Sequence, residues 1–402
     1  MKAFFSQVNK GREFGATVLV GTHTVRLSVF ERLPEKKARV FFSATTHLQR
    51  QAHRTNLESH LASALYRLLH DFESSMRKAG HSGATPQDIF IFYAPPVAVS
   101  ATSQVRVQAS EKTPELDGDV LASLIADAEK EFRSRVKNEA KAKGMLTYEL
   151  ETIERNISQT LLDGYPVTSY FSRPFREFSA RVSLTGIPKK LAGKLSDACH
   201  SIFRESKVYH RECVSAVLSA VARTRATSEH FLCAIVFPDI SVLALSQKGH
   251  LVGQVSFEND GERMALGLSR LLASTKITAL SYARLFAEGK LHGESESHFR
   301  KALGDISEKW TGDALQACSE LSESLLLPKT IYVVPSGTLD GTVLKNVPAD
   351  RKDSSSETRF AFLPKDIFKE ILESSSHASM ETLDNILVMQ VVENIKLDDV
   401  TP

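Results

Sequence analysis

Residues Phe231–Phe257, FLCAIVFPDISVLALSQKGHLVGQVSF, read as three strands in succession. Phe231–Phe237 is an apolar run, too short to cross a bilayer and of the length of a buried strand. Ser241–Ser246 alternates around Val and Leu. Gln247-Lys248-Gly249-His250 is a turn whose glycine can take a positive φ without steric penalty. Leu251–Phe257 returns as the third strand, and Asn259-Asp260-Gly261 opens a helix. The N-terminal region repeats this unit. Ala16–Val20 is an apolar strand, Gly21-Thr22-His23-Thr24 a turn, and Val25–Glu31 a strand with Val25, Leu27 and Val29 on one face. Arg39–Thr46 follows as a third. The two halves of the chain therefore open alike.

A chain of 402 residues can hold two or three cores without covalent staples. Its net charge of +2 and the lack of a basic stripe argue against nucleic acid. The basic run in Lys137–Lys143 reads as the solvated end of a helix. Cys199, Cys213, Cys233 and Cys318 form no CxxC pair, which argues against zinc and suits a reducing compartment. MKAFFSQVNKGREF is too broken by polar residues for a signal peptide. No run spans a bilayer, so membrane association is expected through a partner or an amphipathic surface.

Between the repeats, Asn56–Gly80 reads as a helix with Leu61, Leu65, Leu68, Leu69, Phe72 and Met76 on one face. Ile89–Tyr93 and Val97–Val107 read as strands and Asp117–Val136 as a second helix, whose charges run on to a break at Gly144. Leu146–Leu162 and Phe175–Leu184 are strand-rich; Pro188–Glu205 and Arg211–Arg223 read as helices. After the central unit come helices at Asp260–Ser274, Leu280–Glu288 and Glu294–Leu326, the last with a break at Thr311-Gly312 and with Trp310 in the core. Thr330–Val334 is a strand, Pro335-Ser336-Gly337 a tight loop, Ala349–Thr358 a flexible Ser-rich loop, Arg359–Leu363 a strand and Pro364–Glu373 a helix. Leu383–Ile395 is a last apolar element, followed by a polar tail.

Several stretches together resemble the actin-like ATPase superfamily and, within it, the bacterial FtsA and PilM proteins. Ala16–Glu31 stands where that family has its first phosphate loop. Ile153–Val167 and Arg176–Phe203 are similar to its inserted small domain. Ala234–Leu272 resembles the second phosphate loop with its hairpin and helix, and Thr330–Gly341 the glycine-rich loop that supports the nucleotide. The resemblance implies an α/β, two-lobed actin-like fold, duplicated from a ribonuclease-H-like unit, with a small α+β domain inserted in the first lobe. The expected divisions are 1–142 for the first lobe, 143–208 for the insert, 209–348 for the second lobe, and 349–402 for the closing elements.

The departures from the family pattern bear on chemistry. The family's metal-water Asp is matched by Leu19. Its second loop has an acid followed by small residues, but here Ile235-Val236-Phe237-Pro238-Asp239 brings an apolar residue, then Phe237 and Pro238 in place of glycines. Phosphates approach glycine backbone closely, and Pro has no N–H to offer. Arg284 and Ala287 stand at the positions of the family's nucleoside-binding Glu and Lys, and only Gly337 remains of a glycine pair. Asp239 is the one acid near the loops; it is either a shifted substitute or a turn former. Efficient ATP hydrolysis is therefore not expected, nor is any cofactor. If ATP and Mg²⁺ were retained, Gly21, Thr22, His23, Thr24, Asp239, Ser241, Ser336 and Gly337 would form the site. The turn at Gly21 also has a plain reading as a turn alone.

The resemblance implies a cytoplasmic adaptor on the inner face of the membrane. In the PilM version it binds the cytoplasmic tail of a pilus assembly protein; in the FtsA version it links FtsZ to the membrane. Self-association is compatible with either. A third reading is a nucleotide-dependent enzyme of the sugar-kinase or phosphatase type. It needs an Asp base that no position supplies, and His23, His210 and His250 read as solvated bystanders without the order of a catalytic triad.

Overall fold

The structure is a computed structural model that describes residues 13–34, 37–48, 56–78, 85–109, 116–142, 149–167, 173–224, 229–323, 325–345, 358–363, 372–374 and 382–394. The expected glycine stops at Gly80 and Gly144, most of the Ser-rich loop, residues 364–371 and the polar tail lie outside them.

The chain begins with the meander β1 (Glu13–Val20), β2 (Thr24–Leu33) and β3 (Lys37–His47). Helix α1 (Leu57–Lys78) crosses to β4 (Pro86–Tyr93), which lies parallel to β1. β1 is thus flanked on both sides, and its run from Phe14 to Val20 is buried on both faces, the signature of a central strand. The apolar stripe of α1 expected from its period, Leu61 to Met76, packs on this sheet.

Next comes the inserted unit: β5 (Val99–Gln108), α2 (Gly118–Ala142), β6 (Leu150–Leu162), β7 (Tyr165–Pro166) and β8 (Glu177–Pro188). They form an antiparallel sheet in the order β5-β8-β6-β7. Leu121, Ala128 and Phe132 of α2 pack against Phe178, Val182 and Leu184 of β8. The insert therefore starts at β5, about forty residues before the expected boundary at 143. The amphipathic stripe of α2 needs a sheet to cover, and β5 is an edge of that sheet. It also ends earlier than 208. Helix α3 (Lys189–Ile202) places Leu191, Leu195 and Cys199 in the same core as α1.

β9 (Lys207–Glu212) was not anticipated. It runs parallel to β4 and puts residues up to 212 in the first lobe rather than the second. Its Glu212 side chain accepts from Val214 N at 2.8 Å and from Ser215 N, capping α4 (Cys213–Arg223). That cap is why the helix begins at Cys213 and not at Arg211.

The second lobe repeats the plan with β10 (His230–Val236), β11 (Ser241–Gln247), β12 (His250–Phe257), α5 (Gly261–Leu271), α6 (Lys276–Ala287), α7 (Gly293–Ser322), β13 (Thr330–Pro335), α8 (Thr338–Leu344) and β14 (Arg359–Phe362). Its sheet runs β12-β11-β10-β13-β14, with β13 parallel to β10 as β4 is to β1. Lys248 and Gly249 close the hairpin at φ 53° and 82°. The break expected in α7 is absent. Phe299, Leu303, Ile306, Trp310, Ala314 and Leu321 keep one buried stripe through Gly312. A mid-helix glycine costs about 1 kcal/mol, less than burying a side chain such as Trp310, here fully enclosed, returns.

Two closing elements return to the first lobe. β15 (Leu372–Ser374) joins β3 in parallel, where the sequence suggests the end of a helix, and completes the order β15-β3-β2-β1-β4-β9. Helix α9 (Thr382–Asn394) packs with α4 between the sheets. That middle layer is one core: Leu19 and Phe92 from the first sheet, Ile235 and Val242 from the second, Val217 and Val221 from α4, and Ile386 and Met389 from α9.

Candidate functional site

The shared core sets the two β-turns facing each other. A cleft of about 580 Å³ opens between them, within the size of small-molecule sites. The first lobe contributes His23, Thr24, Arg26, Thr45, His47 and Leu48. The second contributes Pro238, Asp239, Glu262, Lys276, Arg284, Ser336 and Gly337.

The first turn is closed by Gly21 N donating to Thr24 O at 2.9 Å. A Cβ on Gly21 would stand 3.0 Å from Thr24 Oγ1, so glycine lets the turn close tightly on its own Thr24. The Thr22 amide donates to Asp239 Oδ2 at 3.2 Å, and His23 Nε2 lies 3.5 Å from Asp239 Oδ1. Of the two readings of Asp239, a plain turn former is too little: its carboxylate bridges the lobes. Pro238 and Asp239 form the tip of a turn in which Phe237 N donates to Ile240 O at 2.9 Å.

The third loop is held by Ser336 N donating to Val236 O at 3.1 Å, while Ser336 O accepts from Arg26. Arg26 is buried and lies 3.5 Å from Asp384 of α9. It pairs with Leu19 in the β1–β2 register, so a guanidinium sits beside Leu19. Leu19 itself is buried in the shared core.

Of the residues predicted from sequence, His23, Thr24, Asp239, Ser336 and Gly337 line the cleft, and Thr22 reaches it through its backbone. Ser241 does not. Its hydroxyl donates to Asn259 O at 2.6 Å and accepts from Trp310 Nε1 at 3.4 Å, deep in the second lobe. The alternation that made β11 a strand turns Ser241 inward. Arg284 lines the mouth and pairs with Glu288 at 3.0 Å. Sequence reasoning missed Arg26, His47 and the Lys276–Glu262 ion pair. An arginine just behind the first turn, on the strand side opposite Val25, Leu27 and Val29, was the signal for Arg26. His47 is pushed down by burial, then by the charges of Arg26 and Lys276, so its imidazole favours the neutral form.

His210 is not a solvated turn residue. It sits on β9 with Nδ1 2.7 Å from Tyr93 Oη and Nε2 2.9 Å from Ser196 Oγ, and burial lowers its pKa. A second cavity of about 420 Å³ lies where β6, β9 and the β11–β12 turn meet. There Glu154 accepts from Glu212 N at 2.9 Å. Burial, then the charge of Glu212, raises Glu154 to about 7. Among the described residues no group of three or more His, Cys, Asp or Glu is placed to hold a metal ion, and no helix is long and apolar enough to cross a membrane.

No family model matches the sequence, and no curated protein does. Solved structures match over nearly the whole chain. One is a chain of the PilM–PilN type IV pilus biogenesis complex, with 11% identity, 96% of this chain and 99% of that chain covered, and a TM-score of 0.56. Ethanolamine utilization protein EutJ from Carboxydothermus hydrogenoformans matches at 9% identity over 93% and 89%, TM-score 0.44. A Bacteroides thetaiotaomicron protein with an actin-like ATPase fold matches at 10% over 95% and 97%, TM-score 0.42. The chain has the two-lobed actin-like ATPase fold.

Proposed function

We propose that this actin-fold chain is an adaptor at the inner face of the membrane, of the PilM kind, that docks a membrane-anchored assembly protein and does not hydrolyse ATP efficiently. The observation that carries the reading is the state of the interlobe cleft. Phosphoryl transfer needs positioned backbone donors and carboxylates around Mg²⁺. Here Leu19 is in the core, Pro238 offers no N–H, and Asp239 is engaged by Thr22 and His23. Without turnover, the surfaces of the two lobes and of the insert remain as the working parts. Fold similarity to a chain of the pilus biogenesis complex supports the pilus version. The segment from 293 to 322 supports it too, since one continuous helix replaces the strands with which the FtsA version docks FtsZ.

Two measurements on the full chain test this. Calorimetry with Mg²⁺ and ATP up to millimolar concentration should give no binding heat, and phosphate release should stay at the buffer rate. A two-hybrid screen against the cytoplasmic tails of inner-membrane assembly proteins from the same genome should return a partner. Micromolar ATP binding with turnover would refute the reading.

A further inference from the structure

We infer that the Asp239 carboxylate is the resident ligand of an oxyanion site, filling from within the chain the place that a free phosphate or pyrophosphate would take between the lobes. Two observations carry this. The Thr22 amide, 3.2 Å from Asp239 Oδ2, and the His23 imidazole, 3.5 Å from Oδ1, converge on one carboxylate from the opposite lobe. A backbone N–H in a turn and an imidazole are the donors that hold oxyanions. The surrounding cleft, about 580 Å³, has room for more than a carboxylate; Arg26, Lys276 and Arg284 line it, each paired with a carboxylate of its own, Glu262 among them.

A carboxylate tethered to the second lobe closes the contact without any diffusible ligand. The lobes are then joined constitutively at this point. The same carboxylate repels an incoming oxyanion at its own subsite. This inference rests on the cleft geometry and needs no partner protein, so it can fail while the adaptor reading stands, and the reverse.

The experiment compares the full chain with Asp239→Gly and Asp239→Asn, probed with sodium pyrophosphate at constant ionic strength. Thermal unfolding and calorimetry are the readouts. The wild type should show no pyrophosphate heat and no shift in melting temperature. Asp239→Gly should melt a few degrees lower, bind pyrophosphate at least about tenfold more tightly than the wild type, and recover melting temperature as the anion saturates. If the glycine variant does not fold, Asp239→Asn keeps an oxygen for the Thr22 amide, loses the charge, and should still gain pyrophosphate binding. An unchanged response in the variants that fold, or an equal response in the wild type, overturns the inference.

Discussion

Glu154→Gln is the perturbation whose outcome follows most directly from the structure. Glu154 reaches from the insert to the first lobe and accepts the Glu212 amide at 2.9 Å. Its carboxyl is raised from 4.5 to about 7 by burial and by the neighbouring charge of Glu212. At about 1.4 kcal/mol per pH decade this corresponds to about 3 kcal/mol. Glu154 is only partly enclosed, so solvent screens part of it, leaving about 2 kcal/mol. The sign follows from linkage. A folded-state pKa above the unfolded value means that the stability contribution is complete below about pH 4.5 and is lost as pH rises through about 7. The amide of Gln keeps the acceptor for Glu212 N and cannot ionise, so the difference between the two proteins isolates Glu154. Urea denaturation followed by circular dichroism, at about pH 5 and about pH 8, measures it. The wild type should lose about 2 kcal/mol relative to Glu154→Gln between those points. A constant difference across the range would refute the reasoning, because the carboxylate would then ionise without hindrance.

Two further outcomes are expected. Arg26→Met removes the guanidinium that meets Ser336 O and Asp384; it should destabilise by about 2–4 kcal/mol, and adding Asp384→Asn should cost less than the sum of the single changes. His210, held down by burial between Tyr93 and Ser196, should titrate below 6.5 in a proton NMR experiment, and stability should fall as pH drops from 6.5 through that lower value, the opposite direction from Glu154.

What the sequence disclosed was what local period encodes. Val25, Leu27 and Val29, the Leu61 to Met76 stripe and the apolar run before Phe237 each signal their element within one or two turns of chain, and the repeated strand–turn–strand gave the duplicated plan. The misses share a cause. Val97–Val107 reads as a strand and is one, but its place in the insert comes from its pairing with β8, about eighty residues on, which no local period shows. β9, KVYHRE, mixes polar and apolar residues and is a strand because β4 accepts it in register. In the cleft, the residue types at Gly21, His23, Asp239 and Gly337 were legible, but the contact between Thr22 and Asp239 spans 217 positions. Only the shared core between the sheets brings them together, and the same core explains why Ser241, one turn from the cleft, faces Trp310.

The pairing of β15 with β3 bears on how the protein is made. Leu372 lies opposite Ala38, a separation of 372 − 38 = 334 residues. At about 5–20 residues per second, a ribosome needs roughly 20–60 s to deliver the strand that pairs with residues 38–40 of β3. Throughout that interval the nascent first lobe carries an open strand edge, the feature through which chains pair with one another. Newly made first lobes therefore depend on spacing along the polysome, or on a holding chaperone, until the last part of the chain emerges. A shortened product that ends before residue 372 would leave residues 38–40 of that edge unpaired for good, and it should aggregate more readily than the full chain.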